Sequence, residues 1–133
     1  MTGCVEKTFD DLCLLLENRF GECAARVNEL HNDGIRLPEH YKAGSKEEEK
    51  LFAPCIRVSY KETEYSEKDR IIELPAFTFE ISFDLGKKIS FRQRFRLEET
   101  LALFAEENRR CGFWQCLKVE TFREAGALVR IEV

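Results

Sequence analysis

The longest strict alternation of apolar and polar positions along the chain lies within residues 70–85. Phe77, Phe79, Ile81, Phe83 and Leu85 fall on one side and Thr78, Glu80, Ser82 and Asp84 on the other, the period of a strand with one buried face. Upstream of Pro75 the parity inverts, so that Ile72 and Leu74 occupy the register that Thr78 and Glu80 hold later. A proline at a change of facing predicts a bulge or a strand switch. The segment therefore reads as a long bent strand whose aromatic face forms half of the core.

Residues 8–33 carry the other strong pattern, with Phe9, Leu12, Leu16, Phe20, Cys23, Val27 and Leu30 recurring at steps of three and four. That spacing predicts a long amphipathic helix, with Thr8 as its N-cap, Asp10 and Asp11 against the positive end of its dipole, and Gly34 closing it. Gly21 inside this helix costs about 1 kcal/mol against alanine, or marks close packing with a neighbour. Residues 35–49 follow as a connector with Pro38, Gly44 and a charged run including Glu47 and Glu48, expected to form an exposed loop at about 38–50.

Ile56, Val58 and Tyr60 alternate with Arg57, Ser59 and Lys61 behind Pro54, which predicts the partner strand. Residues 63–69 then turn back into the long strand as a hairpin with a polar tip. After Gly86, residues 89–91 add a short extended piece. A second helix is expected over residues 95–111, with Leu97, Leu101, Phe104 and Ala105 inward, Glu98 and Glu99 in its first turn, Arg109 and Arg110 in its last, and Gly112 at the cap. Residues 114–123 and 127–133 read as a closing hairpin in which Leu117 and Val119 face Val129, Ile131 and Val133.

The order helix, hairpin, helix, hairpin predicts one α+β domain over residues 1–133, with two helices packed on one face of a mostly antiparallel sheet. Its core list is Leu12, Leu16, Phe20, Phe77, Phe79, Ile81, Phe83, Leu101, Phe104 and Val119.

Composition narrows the function more than it names it. The net charge of −4, with both signs interspersed over the 133 residues, lacks the basic stripe that phosphate-backbone binding needs, so direct nucleic-acid binding is not expected. No run approaches the roughly eighteen apolar residues of a membrane span, and Glu6, Asp10 and Asp11 stand where a signal peptide needs basic flanks. The expectation is a cytoplasmic protein, and its cysteines, Cys4, Cys13, Cys23, Cys55, Cys111 and Cys116, are read as reduced thiols.

Catalytic chemistry finds little support. Cys111, Cys116, His31 and His40 form no metal-ligand pair of recognised spacing, and the two histidines lie away from the helical and strand cysteines that a Cys–His dyad would use. His31 reads as a helix C-terminal residue interacting with the dipole, and His40 as a surface residue. The carboxylate pairs are adjacent in sequence, and the glycines match no phosphate-binding loop. The reading is therefore a non-enzyme without cofactor or metal. Candidate interface residues are Phe113 and Trp114 at a helix-to-strand junction, Tyr60, Glu64, Tyr65, Glu67 and Lys68 along the hairpin, and Glu47 and Glu48 in the loop. For each, a core position or a solvated turn is the competing reading.

The layout resembles small tail-terminator or tail-completion proteins of long-tailed phages and prophages. The resemblance rests on a long first helix, Leu37 and Pro38 in the loop, the stretch Ala53-Pro54-Cys55-Ile56-Arg57-Val58 opening a long hairpin through Glu67-Lys68-Asp69-Arg70-Ile71-Ile72, then a second helix and a hairpin. It implies a non-catalytic subunit that forms a homo-oligomeric ring, caps the tail tube and meets head-neck proteins, and becomes virion-associated. Two other classes stay open. A small acidic inhibitor or immunity protein against a toxin or nuclease would be monomeric, and a small-molecule binding module would use a Phe-lined groove between helices and sheet.

Overall fold

A computed structural model describes residues 4–48, 50–112 and 114–133. The elements run α1 (Val5–His31), β1 (Lys42–Ser45), β2 (Cys55–Lys68), β3 (Ile71–Asp84), α2 (Phe91–Glu107), β4 (Cys116–Arg123) and β5 (Gly126–Glu132). The strands form a five-stranded sheet in the order β1-β2-β3-β5-β4, antiparallel except for the parallel β1–β2 pair at one edge. This is the expected α+β arrangement with a short strand added.

The alternation in β3 does what its period requires. Phe77, Phe79, Ile81 and Phe83 are buried, while Thr78, Glu80, Ser82 and Asp84 lie half-buried on the opposite face. Cross-strand partners share a face, so Phe79 meets Val129 on one side and Tyr60 on the other. Leu12, Leu16 and Phe20 of α1 and Leu97, Leu101 and Phe104 of α2 close over this face. The Phe20 ring is centred 5.1 Å from Phe83 and 6.1 Å from Phe104, so an aromatic cluster joins both helices to the sheet. Nine of the ten expected core residues are buried, and Val119 is half-buried.

Several expectations change at the element ends. α1 starts a turn early because Val5 packs against the core. Thr8 is thus not the N-cap but a buried helical residue whose hydroxyl donates to the Cys4 carbonyl at 2.8 Å. Asn32, at φ 43°, supplies the left-handed C-cap ahead of Gly34, and Leu30 points to solvent. α2 also starts early, because Ser90 and Gln93 form a capping box: Ser90 Oγ accepts from the Gln93 amide, and Gln93 Oε1 accepts from the Ser90 amide, each at 3.1 Å. Of residues 89–91, Ser90 is extended as the cap and Phe91 already opens the helix, Glu98 and Glu99 lie in mid-helix, and Asn108 rather than Gly112 ends the helix.

The connector is not a free loop. The Asn28 side chain donates to the Leu37 carbonyl and accepts from the Leu37 amide, both at 2.8 Å, which satisfies a buried backbone pair. Leu37 and Tyr41 are buried, and β1 lies along the first residues of β2. Arg96 of α2 reaches back to Asp33 at 2.6 Å and to the Ile35 carbonyl at 2.9 Å, fastening the connector to the second helix.

Candidate functional site

Beyond Pro75, whose carbonyl accepts from the Val133 amide at 3.0 Å, β3 pairs with β2 alone among the described residues, and the two continue as a two-stranded ribbon that projects past the sheet. The ribbon turns through Asp69 and Arg70, both at positive φ (53° and 66°), with Lys68 paired to Ile71. A two-residue turn of this kind matches the twist of paired strands. The reversal is thus shorter than the expected tip of residues 63–69, and the strands are correspondingly longer.

Two irregularities decide which side chains the arm presents. One extra residue, Lys61, bulges from β2 between Tyr60 and Glu62; a second register shift places Leu74 and Pro75 of β3 against Tyr65 alone. The bulge at Pro75 is the one that the inverted parity predicts. Its effect is to bring Leu74 and Ile72 onto the side of the sheet that Phe77 and Phe79 occupy, and Leu74 packs against the core cluster. The apolar face of the sheet thereby runs out along the arm, past the cover of the helices. Tyr65 and Ile72 on that face are 70% and 67% exposed, and Ile71 on the reverse face is 63% exposed.

The expected interface residues divide accordingly. Tyr65, Glu67 and Lys68 are exposed on the arm. Tyr60 lies at its root, its ring 6.3 Å from Phe79 and its hydroxyl 2.7 Å from Thr63 Oγ1. Glu64 faces the open side of the sheet, where Arg130 holds it at 2.6 Å and also pairs with Glu132. Glu47 and Glu48 are exposed in the turn after β1, on the part of β2 farthest from the arm tip. Trp114 is a correction: it is buried, and its indole N–H donates to the Asn108 carbonyl at 3.0 Å, so it anchors the end of α2 and offers no surface. Phe113 lies outside the described residues. β5 pairs with β3 and β4 on its two sides and is interior.

Sequence reasoning missed Ile71 and Ile72 as exposed residues, and it missed a second surface at the start of α2. There Phe91 and Phe95 are 55% and 56% exposed, their rings 5.8 Å apart, with the Arg92 guanidinium 5.4 Å from the Phe91 ring centre. The signal for the helix start was present in the spacing of Ser90 and Gln93.

Elsewhere the open face of the sheet is charge-compensated. Glu80 sits 3.2 Å from Lys61 Nζ and 3.6 Å from Lys46 Nζ, and the hydrogen bond from Lys61 lowers its carboxyl pKa. These groups border an open trough of about 870 Å³ at the turn of the closing hairpin, lined also by Ser82, Phe122, Arg123 and Leu128. Within the trough Lys61 and Glu80 neutralise each other, and Arg123 and Glu124 of the turn line it as well. Among the described residues no cluster of three or more His, Cys, Asp or Glu side chains is placed to hold a metal ion. The six cysteines are free; burial pushes the Cys13 thiol up to about 12 and the Cys23 thiol up to about 11, away from nucleophilic use. Among the described residues no helix is long and apolar enough to cross a membrane.

Compared with protein-family models, with curated proteins and with solved structures, the chain matches none.

Proposed function

We propose that this chain is a non-catalytic assembly subunit that works by self-association, with the β2–β3 arm of one copy reaching a neighbour. The observation that carries the proposal is the continuation of the sheet's apolar face onto an arm with no cover of its own. An isolated two-stranded ribbon is marginally stable in water, and Tyr65, Ile71 and Ile72 add exposed apolar area to it. Both features are resolved if a second chain packs on the arm. In its finer form the proposal is a tail-terminator-like subunit of a long-tailed phage or prophage, whose copies close into a ring on the end of a tail tube. The layout described above and the arm support that form.

A second reading, a small acidic inhibitor or immunity-type protein, draws on the same arm, because residues 62–75 carry Glu62, Glu64, Glu67, Asp69 and Glu73 against Lys68 and Arg70. A ligand-binding module has less to draw on: Phe20, Phe79 and Phe104 fill the groove between helices and sheet.

The test is light scattering across a concentration series, with and without a tail-tube protein, on the full chain and on a chain with residues 66–73 replaced by a short turn. The expected result is a concentration-dependent oligomer for the full chain and a folded monomer for the shortened one. A full chain that stays monomeric and binds no tube end overturns the reading, and a tight one-to-one complex with a basic protein would then favour the inhibitor.

A further inference from the structure

The self-association reading leaves open what the arm docks on. We propose that it docks on the start of α2 in a second copy of this chain, with Tyr65 and Ile72 packing against Phe91 and Phe95, and Glu67 facing Arg92 and Arg94. This inference rests on that reading and specifies it as a heterologous contact between two different surfaces.

The first argument is charge. Residues 85–97 contain Lys87, Lys88, Arg92, Arg94 and Arg96 and no acidic residue. Arg96 is committed to Asp33, but among the described residues no acidic side chain pairs with the other four. The first turns of a helix favour acidic side chains, and each basic one there opposes the dipole. α2 has no acidic residue in its first turn and begins Phe91, Arg92, Gln93, Arg94. A cation patch held against its local preference, beside an exposed aromatic pair, has the composition of a surface for an acidic, apolar partner. The arm has that chemistry: among the described residues Glu64 alone of its five acidic residues is ion-paired, and its helix-side face carries Tyr65, Glu67 and Ile72 together.

The second argument is placement. The arm tip adjoins Ile71, the first residue of β3, and α2 begins a few residues after Asp84, the last. At about 3.3 Å per residue, the fourteen residues of β3 put roughly 45 Å between the two ends. An arm therefore cannot fold back onto its own platform, and each copy offers complementary surfaces at opposite ends. Such a head-to-tail contact closes into a ring where the rotation between copies permits, extends as an open filament where it does not, or is made twice within a pair.

Two variants separate this from other modes of association. Tyr65→Asp with Ile72→Asp disables the arm, and Arg92→Glu with Phe95→Asp disables the platform; all four positions are exposed, and thermal unfolding checks that both variants fold. In sedimentation equilibrium each variant alone is expected to associate at least tenfold more weakly than the unmodified chain. An equimolar mixture is expected to form a one-to-one dimer, since one partner retains the arm and the other the platform, and raising the salt should weaken it. A platform variant that associates like the unmodified chain, or a mixture that stays monomeric, overturns the docking site while leaving self-association intact. An unmodified chain that never associates overturns the self-association reading itself, and the docking site with it.

Discussion

A Cβ placed on Gly21 would lie 2.0 Å from the carbonyl oxygen of Glu39, because the backbone of the connector rests directly on α1 at that point. The glycine is thus a packing requirement. Gly21→Ala gains about 1 kcal/mol of helix propensity but forces rigid backbone apart, at a cost that overpacking data put at about 1–3 kcal/mol or more. Chemical denaturation should show a net loss, of up to about 2 kcal/mol or more from these two terms. A more stable alanine variant would mean that the connector does not pack here.

Arg96 and Asp33 are joined at 2.6 Å, with the arginine side chain only 6% exposed. The hydrogen bond from Arg96 holds the Asp33 carboxyl well below the usual carboxylate range. A group whose folded-state pKa is depressed adds stability that is present above its unfolded value of about 4 and is lost as pH falls below it toward the folded value. Stability measured from neutral pH downward should therefore begin to lose this contribution near pH 4. In Asp33→Asn the corresponding part of the slope should be missing; an unchanged slope would place the acid sensitivity elsewhere.

Phe79 is fully buried at the centre of the aromatic face, against Phe9, Phe77 and Tyr60. Phe79→Ala should cost about 3–5 kcal/mol, a large share of the 5–15 kcal/mol typical of a domain. Denaturation within a few tenths of the unmodified chain would show that the buried face has been assigned wrongly.

Thiol labelling should follow burial. Cys4 is exposed and should react first, Cys111 and Cys116 are half-buried, and Cys13, Cys23 and Cys55 are buried with thiols that desolvation raises. In native buffer the last three should label only as the protein opens, whereas denaturant should expose all six. Rapid native labelling of Cys13 would contradict the packing of α1.

Periodicity by itself determined the two helices, the long hairpin, the closing hairpin and nine of the ten expected core positions, because each depends on side chains repeating at the pitch of a single element. Even the bulge at Pro75 was legible, since a parity change is a local property of the chain. The ends of α1 and α2 were harder: Thr8 and Gly112 have capping chemistry, but Val5 gained core contacts, and the Ser90–Gln93 box outcompeted the later start. What only the tertiary structure decided are relations between segments distant in sequence. β1 became a strand because β2 offered it an edge, β5 became interior because β3 pairs with it on the side away from β4, and Trp114 was buried because it joins the core cluster that the helices and the sheet build together. The arm is of the same kind. Nothing local separates Ile72 from Phe77 in apolarity; they differ because the helices and β5 cover the sheet at Phe77 and stop short of Ile72, and cover is supplied by other parts of the chain.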